Sequence, residues 1–371
     1  MSVPASIVAQ TTYLEAPDDI EAAYEFCEQS GFGDGLPIIP PTLERVERML
    51  MFCDKPRDQP IMSIPPRYGE ATPLRIAANA VMAGCKPQYF PIVMLALEAM
   101  GEQIYNLYGI QATTHPCAPL IIVNGPIARE LQINAGYSAF GAGARSNASI
   151  GRAVHLALVN IGGAKPGAGD MATAGSPAKF TYCIAENEAE SPWQPLNVDE
   201  GFPLGATTVT VVAAEAPHNV NDHESISAEG VLKTIAGTVA TTGCNNAHHE
   251  SRPVIAFCPE HAATVAGGGF SKSDVKEYLY QNAQIPLSKF STENVERRLR
   301  KKFPHRYANA GLDALVPMVQ RPEDYIVIVV GGAGKHSAYI PTFGSHRPVT
   351  RALQHEDGRL VLSIQELRNA R

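Results

Sequence analysis

Four apolar runs constrain this chain more than any other feature: PLIIV from Pro119, TVTVVAA from Thr208, PVIAF from Pro253 and YIVIVV from Tyr325. They are rich in β-branched residues and run into glycine or proline turns, such as Asn124-Gly125-Pro126 and the GGAGKHS stretch from Gly331. Near-continuous apolar strands of this kind belong in a sheet buried on both faces and covered by helices. The expected fold is α/β, with two related strand-helix halves, mixed or mainly parallel sheets and a helical N-terminal segment.

The relation between halves rests on a weak duplication. ATTHPCAPLIIVNGPIARELQINAGYS from Ala112 aligns with ATTGCNNAHHESRPVIAFCPEHAATVAGGGFS from Ala240, the second copy carrying an insertion before its strand. Both continue into helix-like segments, SNASIGRAVHLALVN and SKSDVKEYLYQN. This divides the chain into a proline-punctuated helical segment (1–110), a first α/β half (111–195) and a second (205–371), linked by NEAESPWQPLNVDEGFP from Asn187. In the first segment, Asp18 is placed to cap a helix whose Ile20, Ala23, Tyr24 and Cys27 share a face. Thr42 caps a second helix, Thr72-Pro73 opens a third that Gly84 closes, and Pro91 begins a long apolar one. The rigid GDGLPIIPPT segment either lines a site or packs against a neighbour.

A formal net charge of -7 argues against a nucleic-acid binder, and the one basic run, RRLRKKFPHRY from Arg297, reads as the solvated face of a helix opened by Ser291 or Thr292. No basic leader precedes an apolar core at the N-terminus, and no apolar run is long enough to span a bilayer. A cytoplasmic homo-oligomer with no membrane partner is expected. Seven scattered cysteines, an odd number, point to free thiols rather than a disulfide framework.

The densest chemistry lies in the insertion, TTGCNNAHHES from Thr241, and three readings of it stay open. In the first, Cys244 joins His248 or His249 to hold zinc, iron, copper or nickel, with His115 and Cys117 from the matching place of the first copy completing the set. Adjacent histidines on an extended segment point to opposite faces, so one of the pair would join Cys244. In the second, Cys244 is a nucleophile with a neighbouring imidazole, and Asn245 or Asn246 stabilises an oxyanion. In the third, the asparagines form a turn and the histidines bond to backbone groups.

Other polar groups gather at glycine-rich turns. Lys335 and His336 are candidates for proton transfer, and Ser337 and Tyr339 for substrate contact, beside a turn whose N–H groups can cradle an anion. Arg145, Ser146 and Asn147 at a helix start suit a carboxylate or phosphate, and Lys86 adds a cation beside Cys85. The stretch GGAKPGAGDMATAGSPAKFTYC from Gly162 contributes Lys165, Asp170 and Lys179 and reads as a lid over a substrate. Cys53, Cys183 and Cys258 have no local feature that marks them as reactive.

The motifs DGLPIIPPT, GCKPQYFP, AENEAESPWQPL and GGAGKHSAY resemble a bacterial family associated with small proteins bearing a UGSC or CGSC motif. The resemblance spans most of the chain. It implies redox-active thiol or selenol chemistry nearby, and because this chain has no such motif, the group would come from a small thiol or selenol protein partner.

These features lead to the expectation of an enzyme acting on a small polar or anionic molecule at the carboxyl ends of the strands, by metal-assisted lyase or hydrolase chemistry. Hydride transfer is not indicated, because no GxGxxG fingerprint occurs. Two alternatives accompany this reading: a metal-free cysteine-nucleophile or thiol-redox enzyme, and a non-catalytic subunit that complements the thiol partner.

Overall fold

A computed structural model describes residues 14–368. Asp19, one residue later than expected, caps α1 (Ile20–Gln29) by accepting from the Ala22 N–H at 2.9 Å, and Ala23 and Cys27 turn inward. Thr42 caps α2 (Leu43–Leu50), and a short hairpin, β1 (Met62–Ile64) and β2 (Gly69–Ala71), leads to α3 (Pro73–Met82), which Thr72 caps. Gly84, just past the end of α3, takes the left-handed conformation expected there, with φ 85°. Helix α4 (Phe90–Met100) stops at Gly101 rather than running on, and α5 (Leu107–Ala112) leads into the first long strand.

The apolar runs form the strands they predict. In chain order follow β3 (Ala118–Asn124), α6 (Pro126–Glu130), α7 (Arg145–Asn160), β4 (Cys183–Ala185), α8 (Leu196–Asp199), β5 (Thr208–Ala214) and β6 (His218–Asn221). The second half adds α9 (Ala228–Val239), β7 (Val254–Phe257), α10 (Pro259–Gly267), α11 (Lys272–Asn282), the small pair β8 (Gln284–Pro286) and β9 (Leu315–Pro317), then β10 (Ile326–Val329), β11 (His336–Ile340) and β12 (Val349–Ala352).

Two four-stranded sheets result, ordered β12-β5-β3-β4 and β6-β11-β7-β10. Both are mixed and share one plan. The strand after the duplicated loop, β3 or β7, pairs parallel with β4 or β10 and antiparallel with β5 or β11. The α/β fold with two related halves is therefore correct, and the duplication seen in the sequence aligns β3 with β7.

Residue alternation explains the layering, because successive strand side chains face opposite ways. Leu120, Ile122, Val212, Val254, Ala256, Ile326, Ile328 and Ile340 form one core between the two sheets. Their neighbours Ile121, Val123, Val209 and Val211 face α3, α4 and α7, while Ile255, Phe257, Val327 and Val329 face α9, α10 and α11. The order of layers is helices, sheet, sheet, helices.

The two sheets exchange strands. Strand β5 of the first sheet continues through Glu215, Ala216 and Pro217 into β6, the edge of the second, while β11 of the second sheet leads to β12, the edge of the first. Where the two crossings meet they pair: Glu215 N–H donates to Pro341 O at 2.8 Å and Phe343 N–H to Ala213 O at 2.9 Å, flanking the antiparallel pair Ala214 and Thr342. His346 braces this junction, its Nε2 accepting from Ala213 N–H at 3.1 Å while Nδ1–H bonds to Phe343 O. The stretch from Asn187, expected as a linker, is anchored along its length: Trp193 Nε1 donates to Phe270 O at 3.0 Å and Asp199 pairs with Lys272 at 2.9 Å. Among the described residues no helix is long and apolar enough to cross a membrane.

Two stability measurements follow. Leu120→Ala, which empties a fully buried position between the sheets, is expected to cost about 2–5 kcal/mol in urea denaturation, whereas Leu204→Ala, at a position 62% exposed, should stay within about 0.5 kcal/mol. Burial pushes His346 down from its ordinary 6.5 to about 4. Below pH 6.5 the unfolded chain therefore binds a proton that the folded chain refuses until about pH 4, so stability falls as pH drops through that window. His346→Gln should make the decline shallower than in the wild type.

Candidate functional site

The residues of the insertion are held by separate partners. Cys244 is buried, accepts from Tyr339 Oη–H at 3.4 Å, and burial raises its thiol above the ordinary value. His248 Nε2 bonds to Thr242 O at 3.0 Å and its ring lies edge-on to Phe290. His249 packs between Arg298 and Lys302, and burial, reinforced by these two cations, pushes it down to about 4. The basic run is thus not simply a solvated face. On the first copy, His115 Nε2 pairs with Glu215 at 2.7 Å, and burial drives Cys117 up to about 12. Among the described residues no group of three or more His, Cys, Asp or Glu side chains is placed to hold a metal ion.

Strand alternation separates the groups that follow the GGAG turn. His336 is exposed, whereas Ser337 and Tyr339 point inward, Tyr339 to Cys244 and Asn246. Lys335 Nζ donates to His223 O at 2.9 Å, and Glu260 already takes the Gly334 N–H of the turn at 2.7 Å. At the first sheet, Glu188 takes the Gly125 N–H at 2.6 Å in the same way. The chain's own carboxylates therefore occupy backbone donors at two of the strand ends where a ligand was expected.

The residues at the start of α7 act as anchors. Arg145 gives Nε and Nη2 to Gly84 O at 3.0 and 2.9 Å, Ser146 donates to Gln132 O at 2.6 Å, and Asn147 closes the turn at Asn134 and Ala139. Lys86 is exposed and lies 6.0 Å from the Tyr89 ring centroid.

A feature the sequence did not mark is Cys258, the N-cap residue of α10. Ser337 Oγ lies 3.0 Å from Cys258 N, 3.6 Å from Cys258 Sγ and 2.8 Å from His261 Nδ1, while His261 Nε2 donates to Asp222 O at 2.9 Å. A hydroxyl thus bridges a thiol and an imidazole. Burial alone would raise the Cys258 thiol, but its bonds with His261 and Ser337 outweigh burial and lower it; the other six cysteines are all raised by burial. The usable signal in the sequence was CPEH itself, which puts the imidazole one helical turn from a cap cysteine.

A cavity of about 770 Å³ lies on the outer side of α7. It is walled by the Gly31–Gly35 turn, which runs into the rigid GDGLPIIPPT segment, and by residues between 164 and 180, which belong to the glycine-rich stretch expected as a lid. Gly31 has φ 78°, the left-handed conformation that favours glycine, and a Cβ there would meet Lys165 Nζ at 2.9 Å, so a larger residue would displace the end of the lysine. Lys165 Nζ donates to Gly31 O at 2.8 Å, and Lys179 pairs with Asp170 at 2.8 Å. Arg152 forks onto Asp34 with two bonds of 2.8 Å and also reaches the carbonyls of Leu36 and Pro37, fixing the wall to α7. Burial opposes ionisation of Asp34, yet this fork keeps its carboxyl below the usual range.

His155, one turn beyond Arg152 on α7, lines the cavity, and its ring has no hydrogen-bond partner among the described residues. Burial pushes it down to about 4, so it is neutral at neutral pH. Phe32, Val159 and Phe180 supply apolar wall. A concave, partly apolar space with a few convergent polar groups is the form ligand sites take. His155 was overlooked in SNASIGRAVHLALVN; the signal was its i, i+3 spacing from Arg152 in a stretch, 148–159, otherwise made of small and apolar residues.

No protein-family model, curated protein or solved structure matches this chain.

The thiol assignment predicts a spectroscopic result. In a pH titration of thiolate absorbance on the folded protein, the first thiol to ionise should vanish in Cys258→Ser and move upward in Ser337→Ala, while Cys244→Ser leaves it in place.

Proposed function

We propose that the chain is an enzyme that binds a small carboxylate in the cavity outside α7 and moves a proton on it, in the manner of a lyase. The observation that carries this reading is His155: a neutral imidazole that, among the described residues, has no hydrogen-bond partner, in a cavity where Lys165 pairs with none of their carboxylates. Lys165 spends one N–H on Gly31 O and retains donors and charge for an anion. Lys179, held by Asp170, supplies a second cation whose position is set by its ion pair. A carboxylate on Lys165 would bring an adjacent C–H or leaving oxygen toward His155, the group able to accept and return the proton. Phe32 and Phe180 would limit water around that transfer.

An anion bound beside His155 raises its affinity for a proton above the value of about 4 held in the empty cavity. Binding then takes up a proton, so affinity should rise as pH falls through the His155 value of the bound form.

Titrating the full-length chain calorimetrically with small mono- and dicarboxylates tests the reading. A bound carboxylate should lose about tenfold or more in affinity in Lys165→Ala, since a hydrogen bond to a charged group is worth about 1.5–3 kcal/mol. His155→Asn should keep binding within about threefold while abolishing deuterium uptake by the ligand in heavy water, followed by NMR. Binding untouched by Lys165→Ala, exchange untouched by His155→Asn, or no binding across the panel would overturn it.

A further inference from the structure

A second site stands apart from that cavity. His336 opens β11, and His223 lies in the turn after β6, its neighbour in the sheet. Their Nε2 atoms are 3.1 Å apart, with ring centroids 4.9 Å apart and planes at 73°. We propose that this pair binds a divalent transition-metal ion of the copper, nickel and zinc group.

The separation is the first argument. Two nitrogens each about 2.0–2.1 Å from one ion, subtending an angle between about 90° and 110°, lie about 2.8–3.4 Å apart. The observed 3.1 Å falls inside that interval, so one ion can lie within bonding distance of both nitrogens once the rings turn toward it.

The surroundings are the second argument. His336 Nδ1 donates to Asn219 Oδ1 at 2.9 Å, which fixes the tautomer and leaves the Nε2 lone pair directed at His223. This is the outer-shell bond that orients metal-binding histidines. Without an ion, His223 Nε2–H donates into that lone pair; when the ion binds, that proton moves to His223 Nδ1, so two lone pairs meet the metal.

Rigidity is the third. Asp222 and Ser337, the chain neighbours of His223 and His336, are both bonded to the buried His261, and Lys335 Nζ holds the His223 carbonyl at 2.9 Å. The register of β11 with β6 sets His336 opposite Asn221, two residues before His223. Both imidazoles are exposed, so the remaining coordination positions are open to water or a small ligand. Imidazole donors with open positions suit Cu²⁺, Ni²⁺ and Zn²⁺, with Cu²⁺ bound most tightly.

The test uses tag-free, metal-stripped full-length protein, titrated calorimetrically with Cu²⁺ and separately with Zn²⁺, together with EPR of the copper form. The expected result is one ion per chain, with hyperfine splitting from two nitrogens. Affinity should fall about tenfold or more in His223→Ala and in His336→Ala, and about tenfold in Asn219→Ala, which keeps both ligands but removes the orienting bond. The same affinity in wild type and in the His223→Ala, His336→Ala double variant, copper bound without nitrogen splitting, or no binding of either ion would overturn the proposal. Circular dichroism of each variant separates lost binding from lost folding, and these exposed positions are expected to leave the spectrum unchanged.

Discussion

The structure depends on the short antiparallel ladder at Ala214 and Thr342, where the two halves trade strands. Neither sheet is built from one continuous segment, because β6 and β12 each complete the sheet of the other half. Pairing at the crossing satisfies backbone groups that would otherwise be buried without partners, a cost of about 1–3 kcal/mol for each group. It also brings Leu120, Ile122, Ile326 and Ile328 into one inter-sheet core that neither half could bury alone. Residues around this junction are therefore occupied by structure: His115 with Glu215, His346 with Ala213 and Phe343, and Asn246 with Thr342. The Cys/His insertion sits against this seam, where its Asn245 and Asn246 bond to Thr342, while Cys244, His248 and His249 are held by other partners.

Helix α7 links the core to the cavity. One side carries Ile150, Ala153, Val154 and Ala157 into the first hydrophobic core, while Arg152, His155 and Val159, at i, i+3 and i+7, face the turn and the lid. Arg145, Ser146 and Asn147 fix where the helix begins. They were expected to clamp a ligand, and instead they set the position of a residue two to three turns further on. The same bonds that remove them from the surface give His155 a rigid mount.

The cysteines show how environment overrides composition. Seven thiols have the same intrinsic chemistry, and burial makes six of them harder to ionise. Cys258 differs only through neighbours supplied by the helix it caps and by β11. Its relay lies directly beneath the His223–His336 pair, so one stretch of β11 presents a histidine outward and a serine inward to two different chemistries.

Local signals in the sequence determined the four apolar strands β3, β5, β7 and β10, the helix caps at Thr42 and Thr72, the left-handed Gly84 and the relation of the two halves. These depend on residues a few positions apart, where alternation, capping and glycine geometry act without knowledge of the rest of the chain. Lys165, Asp170 and Lys179 were legible as a polar, glycine-rich segment for the same reason. What only the tertiary structure decided is which polar groups meet: Arg152 with Asp34 across 118 positions, His223 with His336 across 113, and Ser337 with Cys258 across 79. It also decided which ones do not, as with Cys244 and Lys335. Such meetings are set by the strand exchange and by how helices lie on sheets, and a side chain's hydrogen bonds and ionisation follow from neighbours that no local window of sequence contains.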